Sequence, residues 1–190
     1  VATDGDGTPV YATATSSKQI GTLYNGFHYE IGLQKKNGRY DCDLTGDTVV
    51  WLNKAKAESR LPEEDSNNRY SYKVRESLPC NCFLAEVVED GAKLYSGTGH
   101  KHVLATHRAG TLVMVCGSFG QDYYVQRAGE GFMSKSALRK VQDLTFTQAH
   151  DNLFGLEGLE TATVCLDINC RRKLSITATG VSELTTHGNY

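Results

Sequence analysis

Short runs of β-branched and aromatic residues, separated by turns that carry glycine, make up most of the chain, a spacing that predicts short strands. From Val10 to Ala57 there is first a Ser/Thr-rich loop after Tyr11, the apolar segment Ile20-Gly21-Thr22-Leu23 and a turn at Asn25-Gly26. A strand over Phe27 to Leu33, a turn at Lys36-Asn37-Gly38 and an aromatic strand opening Arg39-Tyr40 come next. A turn at Thr45-Gly46-Asp47 and a strand carrying Trp51 close the unit. From Lys93 to Val141 the same order returns, with Val103-Leu104-Ala105-Thr106, a turn at Ala109-Gly110 and a strand over Thr111 to Cys116. After the turn Gly117-Ser118-Phe119-Gly120 come Asp122-Tyr123-Tyr124, Ala128-Gly129-Glu130-Gly131 and a strand opened by Phe132. The offset is nearly constant, which predicts two structural repeats. A handful of short strands in each unit predicts a small barrel whose edges pair, with Trp51 and Phe132 packed in the two cores.

The alternation is blurred over Thr111 to Cys116, where Leu112, Met114 and Cys116 face one way, Val113 and Val115 the other, and both sets are apolar. Phe83 to Val88 reads as an opening strand before the Glu89-Asp90-Gly91 turn. The matching turn in the first unit is Asp4-Gly5-Asp6-Gly7, which leaves Val1-Ala2-Thr3 for its opening strand.

These landmarks resemble the bacterial SH3-like family. In that family a Ser/Gly-rich loop precedes an Ile/Val-Gly-x-Leu segment, a turn glycine, a Val-rich strand, an aromatic-led strand and a final Gly-Trp-Val/Met turn and strand. Ile20-Gly21-Thr22-Leu23, Gly26, Tyr40 and Trp51 match in the first unit, and Leu104, Gly110, Tyr123, Gly131, Phe132 and Met133 in the second. Val49-Val50 stands where a glycine is expected before Trp51, and Phe132 replaces the tryptophan of the second unit. The resemblance covers about half the chain. It implies an all-β protein of tandem small SH3-like barrels, over residues 1–58 and 83–141, joined by a linker at 59–82.

Lys56 to Cys82 contains a solvated Pro-Glu-Glu-Asp-Ser-Asn-Asn stretch and a strand pattern at Tyr70 to Val74. Residues 142–190 are read either as a divergent third SH3-like unit or as a β extension of the second barrel. They open with a short helix within Asp143 to Gly155, capped by Thr147, and then form a hairpin of Thr161 to Leu166 and Arg172 to Thr177.

Composition narrows the function classes. The net charge is −2 and the basic runs Lys35-Lys36 and Arg171-Arg172-Lys173 are short, which argues against nucleic acid as a partner. No stretch is long and apolar enough for a membrane span. Six cysteines leave the redox compartment open. Cys116 ends a predicted strand and reads as a buried thiol rather than a nucleophile. One residue between Cys80 and Cys82 makes joint tetrahedral metal ligation awkward. Cys165 and Cys170 flank a turn and suit a disulfide, two thiols or a metal pair. His100, His102 and His107 cluster with Lys101 and Arg108 in a loop without a carboxylate among them, so a solvated loop is expected there. No paired carboxylates, HExxH, phosphate loop or nucleophile elbow occurs.

Aromatic residues outnumber what two such small cores need, so some are expected at the long-loop faces, where rings stack on a ligand. The candidate ligand-binding residues are Tyr11, Ser16 and Tyr40 in the first unit and Tyr95, His100 and Tyr123 in the second. No catalytic residue, cofactor or metal is expected. The resemblance implies a non-catalytic bacterial binding or targeting module, secreted or in the cell envelope, that recognises peptidoglycan or cell-wall peptides. The alternative is a protein interaction or assembly factor built on the same barrels.

Overall fold

The computed structural model describes residues 7–27, 29, 31–53 and 79–150, together with the backbone of three strands between 162 and 185. The first repeat supplies β1 (Thr8–Tyr11), β2 (Gln19–Leu23), β3 (Lys35–Lys36), β4 (Arg39–Thr45) and β5 (Thr48–Asn53). The second supplies β6 (Phe83–Val87), β7 (Ala92–Tyr95), β8 (Val103–His107), β9 (Leu112–Phe119), β10 (Asp122–Gln126), β11 (Gly131–Ser134) and β12 (Leu138–Asp143). All twelve belong to one sheet, whose main path runs β3-β4-β5-β1-β2-β9-β10-β11-β7-β8, with β6 beside β9 and β12 beside β6. Strands β13 (Ala162–Cys165), β14 (Arg172–Thr177) and β15 (Gly180–Thr185) form a separate antiparallel sheet. The predicted C-terminal hairpin is therefore the first part of a three-stranded sheet.

The expectation of two closed SH3-like barrels is corrected by this topology. Among the described residues no ladder closes either repeat on itself, and β2 crosses the repeat boundary to pair with β9 at Thr22↔Ser118 and Leu23↔Gly117. Close backbone approach there depends on glycine. A Cβ on Gly21 would meet the Phe119 ring at 2.4 Å, and one on Gly117 would meet the Thr22 carbonyl oxygen at 2.8 Å.

Burial explains why the repeats merge. Val113 and Val115 of β9 pack with Phe83, Ala85, Val87, Leu94, Val125 and Met133, all from the second repeat. Met114 and Cys116, on the other face of β9, pack with Val10, Leu23, Phe27, Leu44, Val50 and Leu52 of the first repeat. Both faces of β9 are thus buried, the physical reason its alternation is blurred in the sequence. A unit of about 50 residues buries too little apolar surface to stand alone, and here the first repeat completes its core on the back of the second.

Two elements of the first repeat depart from expectation. Phe27 to Leu33 contains no strand among its described residues. Phe27 is instead buried against the rings of Tyr29 and Tyr124, at 5.0 and 6.1 Å between centroids. Trp51 lies between buried Val50 and Leu52 on β5 and stands half-buried on the opposite face, not in the core. The short helix is α1 (Phe146–His150). Thr145, not Thr147, caps it: Gln148 N donates to Thr145 Oγ1 at 3.2 Å, and Thr145 N donates to Gln148 Oε1 at 3.0 Å. The strand pattern at Tyr70 to Val74, the opening strand at Val1 to Thr3 and Cys170 lie outside the described residues.

Candidate functional site

The loop after β7 is tied down at both ends. Ser96 N donates to His102 O at 3.0 Å and His100 N to Gly97 O at 3.1 Å, which folds Ser96–His102 into a compact turn. From the first repeat, Thr45 and Thr48 each donate their hydroxyl to Ser96 O at 2.5 Å. The hydroxyls sit on the β4–β5 hairpin, so the two repeats share this corner. A depression of about 390 Å³ opens here, lined by Asp47 and Thr48 on one side and by residues 96–102 on the other. A second depression of about 530 Å³ is lined by Ala12, Ile20, Thr98, Phe119, Gly120, Gln121 and Asp122. Thr98 lines both, so they form one groove astride the repeat boundary.

His100 lines the first depression, and its partner Asp122 lines the second. Its backbone adopts φ 55°, in the left-handed region. Its ring stacks on Tyr95 with centroids 4.0 Å apart and planes 7° apart. Its Nε2 lies 3.0 Å from Oδ1 of Asp122, a carboxylate only 7% exposed in its side chain, while the His100 side chain is 37% exposed. An imidazole fixed at one nitrogen by a carboxylate presents the other to a ligand.

The six residues singled out from the sequence do not form one site. Tyr95 and His100 stack on each other, His100 in the lining of the first depression. Tyr11 and Ser16 meet through Arg39, whose guanidinium carbon lies 3.5 Å from the Tyr11 ring centroid and whose Nη1 donates to Ser16 O at 2.6 Å. Tyr40 lies on β4 with the Lys35 ammonium 5.6 Å from its ring. Tyr123 packs edge-on to Phe83 at 5.4 Å, with the Lys135 ammonium 4.9 Å from its ring centroid. Asp122 was not identified from the sequence, where it sits 22 positions after His100 at the start of an aromatic strand. The pairing of β10 with β11 and of β11 with β7 brings it to the loop, and no local pattern announces that.

The thiols give no activated nucleophile among the described residues. Cys116 is buried, with its thiol on Met114 O at 3.6 Å. The hydrogen bond from Cys82, and then burial, push the Cys80 thiol up. Burial, with the neighbouring Cys116, does the same to Cys82. Nucleophilic cysteines need the opposite shift. Among the described residues no group of His, Cys, Asp and Glu side chains is arranged to hold a metal ion.

No protein-family model matches the chain, and no curated protein matches it in sequence. Solved structures similar to it include NlpC2 from Trichomonas vaginalis, 18% identical over 73% of this chain and 45% of that one, with a TM-score of 0.31. NlpC1 from the same organism is 15% identical over 73% of this chain and 43% of that one, again with a TM-score of 0.31. The chain spans less than half the length of either protein. The sheet topology corrects the resemblance drawn from the sequence landmarks and the barrel architecture, and the reading as a purely non-catalytic binding, targeting or assembly module built on those barrels is corrected with them.

Proposed function

We propose that this chain forms the substrate-binding part of a peptide-processing enzyme and holds a short polar peptide of the peptidoglycan kind in the groove between the repeats, at the cell envelope or outside the cell. The observation that supports this reading is His100, in the lining of the first depression and fixed from two directions by the Tyr95 ring and the Asp122 carboxylate. Asp47 and Lys101 line the same depression, so both ends of a zwitterionic peptide meet an opposite charge. Tyr95 and His100 are the central contacts. Tyr11 and Ser16 flank the end lined by Ala12, while Tyr40 and Tyr123 contribute through packing at the margins.

Calorimetric titration of the chain with soluble wall-derived peptides tests this reading. Binding is expected, with His100→Ala weakening it by about tenfold or more, the equivalent of about 1.4 kcal/mol. Circular dichroism should show no change of fold. Chromatography of the same mixtures reads cleavage. A chain that neither binds nor cleaves such peptides, or binds them equally well without the His100 imidazole, removes the reading.

A further inference from the structure

The outward face of the first repeat carries a row of side chains centred on Trp51, whose placement neither the core nor the peptide groove explains. In β5, Val50 and Leu52 point into the core, so Val49 and Trp51 point outward. Tyr11 of β1 lies opposite Trp51 on one side, and Asp41 of β4 lies opposite it on the other. Opposed residues have Cβ atoms about 5 Å apart, so phenol, indole and carboxylate form one row across the three strands. On the next rung of the same face Asp43 lies opposite Val49, and both are exposed.

Contacts fix the two ends of the row. β5 lies between β4 and β1, and the Arg39 side chain crosses it to set its guanidinium carbon 3.5 Å from the Tyr11 ring centroid. Arg39 Nη1 also donates to Ser16 O at 2.6 Å, so guanidinium and phenol are both held. At the other end Asp41 Oδ1 accepts from Gln34 N at 3.1 Å. The half-buried indole between them leaves apolar surface in water that a ligand can cover.

The chemistry of the face selects that ligand. The electron-rich face of an aromatic ring attracts the C–H-bearing side of a pyranose, and their contact removes apolar surface of both from water. Ionised carboxylates only accept hydrogen bonds, and sugar hydroxyls supply the donors. The centres of protein interfaces are depleted of aspartate, and Asp41 and Asp43 repel a polyanion.

We propose that the outward face of β1, β4 and β5 binds an uncharged pyranose oligosaccharide, with one sugar ring stacked on Trp51 and its hydroxyls donating to Asp41 and Asp43. Tyr11, held by Arg39, extends the platform toward the next sugar. This binding does not depend on the peptide groove.

Trp51 is the chain's one tryptophan, so its emission reads the site directly. The intact chain is titrated with cellotriose and with the trimer of N-acetylglucosamine, followed by fluorescence and by calorimetry. A saturable change in emission is expected with at least one trimer, and the heat of binding should give the same Kd. By calorimetry, Trp51→Ala should weaken binding by about tenfold or more and Asp43→Ala by about fivefold, while Trp51→Phe keeps part of the affinity. A wild-type chain that shows neither emission change nor heat at up to about 10 mM of either trimer would overturn the proposal. Undiminished binding in Trp51→Ala or in Asp43→Ala would overturn the assignment to this face. Because the wild-type titration and the exposed Asp43 carry the decision, a Trp51→Ala chain that fails to fold does not shelter the idea.

Discussion

The two repeats follow one order of turns and strands, yet they stand on different foundations. The second repeat has an apolar cluster of its own, with Val113, Val115, Val125 and Met133 at its centre. Among the described residues the first repeat has none: Val10, Leu23, Leu44 and Leu52 share a single cluster with Met114, Phe119, Tyr124 and Phe132 of the second. Polar contacts run the same way, since Tyr124 donates its hydroxyl to Leu44 O at 3.0 Å. Similar local patterns therefore do not imply similar independence. The second repeat supplies a strand, β9, buried on both faces, and the first repeat covers one of those faces.

Trp51, the chain's one tryptophan, lies in the first repeat and lets this asymmetry be broken on purpose. Phe132 packs edge-on to Phe119 at 5.2 Å and lies 5.4 Å from Tyr124. Phe132→Ala should cost about 3–5 kcal/mol. Although the substitution is in the second repeat, it should lower the denaturation midpoint read by Trp51 fluorescence. An unchanged Trp51 midpoint would show that the repeats unfold separately.

Leu52→Ala removes a fully buried side chain from the first repeat and should cost about 2–5 kcal/mol. Here the asymmetry predicts a lowered Trp51 midpoint with hydrogen exchange at Val113 and Val115 nearly unchanged. Equal loss of protection at those valines would mean that the second repeat depends on the first as much as the reverse.

Gly21→Ala pushes a methyl group into the Phe119 ring, so a destabilisation of about 1–3 kcal/mol is expected. Phe119→Leu in the same chain should recover part of it if that contact is the cause. Thr48→Val removes one of two hydroxyls on Ser96 O and should cost about 1 kcal/mol. Its clearer effect should be a looser loop around His100, read as faster amide exchange at Ser96 and His100.

The smallest effect at neutral pH involves Tyr29, whose hydroxyl donates to Thr8 Oγ1 at 3.1 Å. Burial raises its pKa from 10.0 to about 12. The neutral phenol is the form the fold favours, so this contribution is fully present below the unfolded value and is lost as pH rises through the folded one. Stability should fall between about pH 10 and 12, and Tyr29→Phe should flatten that part of the profile, as followed by Trp51 fluorescence.

The sequence by itself determined the strand-rich character, most turns, the recurrence of one order and the strand carrying Cys116, because these follow from local spacing and from glycine at tight turns. It also marked Tyr95 and His100, since an aromatic residue before a Gly-rich polar loop is a local signal. Tertiary structure decided the rest. The buried contacts of Phe27 replaced an expected strand, and the strand register turned Trp51 out of the core. Pairing of β2 with β9 made one sheet of two repeats, an event between segments almost a hundred positions apart that no local pattern encodes. Pairing of β10 with β11 and of β11 with β7 likewise brought Asp122 to His100. A residue's own neighbourhood fixes which face of a strand it takes, but the partner on that face is chosen by which other surface gains most from leaving water.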